Sequence, residues 1–105
     1  MVILIIEDEK KIVDILEKAL KGERYSVDVA YSGNEGLTKA MKNSYSLILL
    51  DIMLPEKDGF TICKELRERN IFTPIIMITA RGNTEDKVIG LESFFVPRFK
   101  QSYRG

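Results

Sequence analysis

Residues 48–60 read ILLDIMLPEKDGF, and the aspartate at position 51 decides how the rest of the chain is understood. Leu47 to Leu50 form an aliphatic run with no polar face, and the carboxylate of Asp51 follows it directly. A strand without a polar face is buried on both sides, as in a parallel sheet covered by helices. Pro55 and Gly59 then break the run, and Asp58 stands where a helix bearing Ile62, Cys63 and Leu66 needs an N-cap. Arg67 and Arg69 fall in the last turn of that helix, where positive charge is favourable.

The same alternation extends outward in both directions. Val2 to Ile6 is a second all-aliphatic strand, and Glu9 to Lys21 switches to helical spacing, with Ile12, Val13, Leu16, Ala19 and Leu20 on one stripe. Gly22 is the expected helix stop. Tyr25, Val27, Val29 and Tyr31 alternate with Ser26, Asp28 and Ala30, which predicts a strand with one wetter face. Ser32 and Glu35 have the spacing of a capping box ahead of a helix carrying Leu37, Ala40 and Met41. Pro74 opens a strand over Ile75 to Ile78, and Asn83 or Thr84 can cap a fourth helix with Val88, Ile89 and Leu91.

Strands alternating with helices predict a doubly wound α/β domain with a parallel sheet. The strand order expected is the flavodoxin-like 2-1-3-4, with a fifth strand left open. Residues 1–92 are read as the domain core and 93–105 as a separate tail.

Composition narrows the functions available. A chain of 105 residues suits one domain. Sixteen basic and sixteen acidic residues cancel, which argues against nucleic-acid binding by this chain alone. Cys63, the single cysteine, has no partner for an internal disulfide, so a reducing, cytoplasmic setting is expected. The apolar run MVILII is too short and lacks the basic segment of a signal peptide, and no stretch is long enough to span a bilayer. The chain has no histidine, which excludes Ser-His-Asp and Cys-His chemistry and histidine metal ligation. Any metal must be held by oxygen.

In open α/β sheets, ligands bind beyond the carboxyl ends of the strands. Glu7 and Asp8 follow the first strand and Asp51 follows the third, and in the 2-1-3-4 order these strands are neighbours. Two unit charges about 4 Å apart repel by on the order of 4 kcal/mol at an effective dielectric of about 20. A retained proton or a bound cation relieves that repulsion, and for an all-oxygen site Mg²⁺ is the natural ion. The fourth strand ends in Thr79-Ala80, placing a hydroxyl donor near any anion beside the metal. Carboxylate, metal and hydroxyl together are the parts needed for phosphoryl transfer onto Asp51. Taken singly, each has a plainer reading as a helix cap, a turn residue or a β-former. Their coincidence at one sheet edge is what points to chemistry.

Taken together, EDE at 7–9, DIMLPEKDG at 51–59 and ITA at 78–80 resemble the receiver domain of two-component response regulators, over Met1 to about Glu92. The resemblance implies that Asp51 accepts a phosphoryl group from a phosphohistidine on a sensor histidine kinase. It implies that Glu7, Asp8, Asp51 and the backbone carbonyl of Met53 hold Mg²⁺, and that Thr79 moves toward the phosphate. Pro55 and Gly59 resemble the turn that shapes the loop over the site. A receiver catalyses its own phosphorylation and dephosphorylation and is not otherwise an enzyme. Receivers of this style often belong to transcription regulators. A haloacid-dehalogenase-type phosphatase would need an acid where Met53 stands, and a flavin phosphate would be repelled by Glu7-Asp8-Glu9.

After the fourth helix the sequence departs from the family and reads GLESFFVPRFKQSYRG. Without a gap, Gln101 takes the place of the family's lysine, with Lys100 beside it; with a short deletion, Arg98 does. Arginine is planar and bulkier than lysine, so neither alignment restores the same phosphate contact. Lys100, Arg98 and Ala80 are therefore secondary phosphate-binding candidates, and the two cations are read first as surface charges on an irregular tail. No fifth helix fits in what remains. An uncovered apolar face and an open sheet edge are expected to promote homo-oligomerisation, with Phe94, Phe95, Phe99 and Tyr103 as contact material. The alternative function is a truncated, receiver-shaped interaction module that no longer switches.

Overall fold

Aliphatic or alternating strand segments give way to helical spacing along the chain, and the elements follow in strict alternation. They are β1 (Val2–Ile6), α1 (Lys10–Gly22), β2 (Ser26–Ala30), α2 (Gly33–Lys42), β3 (Leu47–Asp51), α3 (Gly59–Glu68) and β4 (Ile75–Ile78). The computed structural model describes residues 1–78. The fourth helix, the tail at 93–105 and self-association through it, all expected from the sequence, lie outside the described residues. So does the boundary at residue 92.

All three strand pairings are parallel, in the order β2-β1-β3-β4. Alternate residues of the central strands feed two cores, as the pleat requires. Leu4, Ile6, Ile48 and Leu50 pack with Leu37 of α2 and with Ile62, Cys63 and Leu66 of α3. Ile3, Ile5, Leu49 and Ile78 face the other way, onto Ile12, Val13 and Leu16 of α1. Each such side chain removed from water contributes about 1.5–3 kcal/mol. That two-sided burial explains why β1 and β3 read as unbroken aliphatic runs. Among the described residues, no helix is long and apolar enough to cross a membrane.

The helix ends show where sequence reading and structure part. Gly22 does not stop α1: it is the last helical residue, and the left-handed position belongs to Arg24, at φ 71°. The Tyr25 N–H donates to the Leu20 carbonyl at 3.1 Å and the Arg24 N–H to that of Lys21 at 2.9 Å, which is the Schellman arrangement. Asn70 ends α3 the same way, at φ 62°, with the Ile71 N–H donating to Leu66 at 2.9 Å. Asparagine tolerates that conformation; arginine adopts it at a cost, because its Cβ crowds the backbone. The expected caps of the other two helices are present. Ser32 Oγ accepts from the Glu35 N–H at 3.1 Å, and Asp58 Oδ1 accepts from the Thr61 N–H at 2.8 Å. Glu35 reaches back to the Tyr31 N–H at 2.9 Å, one residue before the expected position.

Arg67 lies in the last turn of α3, as expected, and is nearly buried. Its guanidinium donates to the carbonyls of Ile71 and Thr73, both at 2.9 Å, and so fixes the connection from α3 to β4. The Phe72 ring lies 5.9 Å from its Cζ, within cation–π range.

The outer strand β2 is held by a polar cluster that the sequence pattern did not announce. Lys39 Nζ donates to Asp28 Oδ1 at 3.1 Å and to the Val29 carbonyl at 2.7 Å, and the Tyr45 hydroxyl donates to Asp28 Oδ2 at 2.6 Å. Asn43 Nδ2 in turn donates to the Tyr45 oxygen at 3.3 Å. The Tyr45 hydrogen bond, with Lys39 adding to it, holds the Asp28 carboxyl below its ordinary 3.8, although burial opposes the shift. Burial, then the bond to Asp28, pushes the Tyr45 phenol up to about 12. A lowered carboxyl contributes stability above its ordinary value and loses it as pH falls through the folded value; a raised phenol contributes below pH 10 and loses it as pH rises toward 12. Tyr45→Phe should cost about 1 kcal/mol at neutral pH. In urea unfolding, the difference from wild type should shrink once Asp28 is protonated and again at strongly alkaline pH.

Candidate functional site

The register of the central strands assembles the site. Ile6 lies opposite Leu50 across the β1–β3 ladder, so Glu7 and Asp51 are the next residues on neighbouring strands. Ile5 and Leu49 face α1, and alternation directs Glu7 and Asp51 to that same side. The Glu7 N–H extends the sheet by donating to the Ala30 carbonyl at 3.0 Å. Asp8 follows in the connection to α1.

One carboxylate oxygen from each of Glu7, Asp8 and Asp51 lies within 4.8 Å of the other two. Glu7 and Asp51 are fully buried and Asp8 is exposed, so the cluster opens to solvent on one side. Backbone donors orient the buried pair: the Glu9 N–H donates to Glu7 Oε2 at 2.9 Å, and the Met53 N–H donates to Asp51 Oδ1 at 3.1 Å. α1 begins two residues past Asp8, so the partial positive charge of its amino end lies near the acids along the chain.

The donor set fits a hard, oxygen-seeking cation: the chain lacks histidine, and Cys63 is buried in α3, away from this edge. The acids chosen from the sequence are thus brought together. Met53 lies next to them in the loop, two residues past Asp51, with its side chain exposed. Thr79, Ala80, Arg98 and Lys100 are outside the described residues. Gly59, at the start of α3, approaches the end of β3 more closely than the turn role expected of it requires. A glycine in the first helical position, where alanine is favoured by propensity, was the available signal.

A doubly wound sheet with an acid cluster at the carboxyl ends of β1 and β3 defines a class of ligand-binding α/β domains. Within it, the chain belongs to the response regulator receiver domain family, whose profile matches residues 3–94. It is 51% identical over 90 residues to the response regulator ArlR of Staphylococcus saprophyticus, an overlap covering 86% of this chain and 40% of that protein. Against ArlR of Staphylococcus aureus the identity is 49%, over 86% of this chain and 41% of the relative. The chain therefore spans about two fifths of the length of these curated relatives. Among solved structures, the receiver domain of Francisella response regulator 1452 superposes with a TM-score of 0.74 at 36% identity, covering 88% of this chain and 76% of that one. The Thermotoga maritima response regulator TrrA, solved in complex with Mg²⁺-BeF, gives 0.72 at 31% identity, covering 85% and 79%.

Asp8→Asn removes one of three clustered negative charges without disturbing the core. In EDTA it should raise the thermal midpoint by a few degrees, and excess divalent cation should abolish or reverse that advantage.

Proposed function

We propose that this receiver domain accepts a phosphoryl group on Asp51 from the phosphohistidine of a sensor histidine kinase. Glu7, Asp8 and Asp51, with the Met53 carbonyl, would hold the Mg²⁺ that the transfer requires. The observation carrying this reading is the convergence of three carboxylate oxygens within 4.8 Å at one sheet edge. The Mg²⁺-BeF complex of TrrA, a neighbour of the same fold, supports it by likeness.

When bound, the ion would offset negative charge on the transferring group and on the acids around it. The chain's own residues do the rest. β3 fixes Asp51 at the end of a buried strand, so the nucleophile does not have to be ordered during attack. The Met53 N–H orients its carboxylate through Oδ1. An Asp51 oxygen bonds to phosphorus as the P–N bond of the donor breaks, and the donor imidazole keeps the electron pair and takes up a proton. Asp8, at the solvent side, keeps the cluster accessible to the ion. Thr79 would donate to the phosphoryl oxygens, with Ala80 and either Lys100 or Arg98 as secondary candidates. The domain modifies itself and turns over no separate substrate beyond its phosphodonor. The assembled acids favour this reading over a module that no longer switches.

Acetyl phosphate with Mg²⁺ should phosphorylate the wild-type chain, read as an intact-mass shift, whereas Asp51→Asn should stay unmodified. Leaving out the metal should abolish the shift. A wild-type chain that binds Mg²⁺ yet is never modified would contradict the proposal and favour the non-switching module.

A further inference from the structure

The amino end of α3 rests directly on the peptide that carries Asp51. A Cβ built on Gly59 would lie 2.8 Å from the Asp51 carbonyl oxygen, 2.9 Å from Ile52 Cα and 3.3 Å from the Asp51 carbonyl carbon. All three are backbone atoms, so no side chain can swing aside to make room. The approach is held by a hydrogen bond from the Gly59 N–H to the Ile52 carbonyl at 2.8 Å. Gly59 is outside the left-handed region, so its use here lies in the missing Cβ and not in backbone freedom.

Asp58 caps the helix at this point, accepting from the Thr61 N–H, and Ile62 is fully buried one turn on. The helix is therefore seated firmly on the core. Any volume added at residue 59 must be absorbed on the other side of the contact, at Asp51 and Ile52. The next residue, Met53, both orients Asp51 through its N–H and offers the carbonyl assigned to the cation.

We propose that Gly59 is a positioning residue for the acid site: it lets α3 close onto the Asp51–Ile52 peptide and so sets the Asp51 carboxylate at the spacing from Glu7 and Asp8 that binds Mg²⁺. This deepens the phosphoryl-acceptor reading and rests on it. Glycine at the first position of α3 is then explained despite its poor helix propensity, because alanine would help the helix and misplace the nucleophile.

The test is calorimetric titration of MgCl₂ into the full chain and into Gly59→Ala, in sucrose to favour the compact state. Thermal unfolding without metal is recorded alongside. Tyr45→Phe, remote from the acids, serves as the destabilised control. The proposal expects wild type and Tyr45→Phe to bind Mg²⁺ alike and folded Gly59→Ala to bind about tenfold more weakly, the scale seen when groups supporting metal ligands are altered. Equal affinity in folded Gly59→Ala, with only a lower midpoint, would overturn it and leave Gly59 a packing residue. Failure of that variant to fold in sucrose would also overturn it, since the change is argued to be absorbed locally. If wild type itself fails to bind Mg²⁺, the underlying site reading falls with it, and that outcome is distinct from the other two.

Discussion

The parallel register between β1 and β3 is the constraint on which the rest depends. Pairing Ile6 with Leu50 places Glu7 beside Asp51, and a slip of one residue would turn one of those carboxylates toward the α2–α3 core. The register is fixed because both strands are buried on both faces and each inward residue has a defined pocket. Ile3 and Ile5 belong to the α1 core, while Leu4 and Ile6 belong to the opposite one. Stability and site geometry thus come from the same packing.

What the packing assembles is a set of like charges at one sheet edge. Three carboxylates converge and two of them are fully buried. Protein interiors carry such clusters where a ligand resolves them. The backbone donors from Glu9 and Met53 orient the two buried acids, and the exposed side at Asp8 leaves an entry path. The proposed cation-dependent phosphoryl acceptor rests on that convergence more than on the fold, which many unrelated functions share.

Much of this was legible in the chain itself. Continuous aliphatic runs at β1 and β3 announce two-sided burial, and acids directly after them mark the ligand edge of the sheet. The Ser32 and Asp58 caps were also readable, because they depend on contacts three residues apart. What escaped was whatever depends on distant residues meeting. Arg24, and not Gly22, takes the left-handed turn, because the Leu20 and Lys21 carbonyls select the capping geometry. Asp28, Lys39 and Tyr45 come from three separate segments, so no local pattern reveals their cluster. The Gly59 approach to Asp51 likewise exists only once α3 is docked on the sheet.

The account stands on residues 7, 8 and 51 sharing one divalent ion. Substituting Mn²⁺, which favours the same oxygen ligands, and mapping paramagnetic broadening of backbone amide signals tests that sharing directly. Broadening concentrated at Asp8, Asp51 and Met53 at low metal ratios is the result expected. Broadening centred on the surface acids of α1, Asp14 and Glu17, with those signals left sharp, would contradict it.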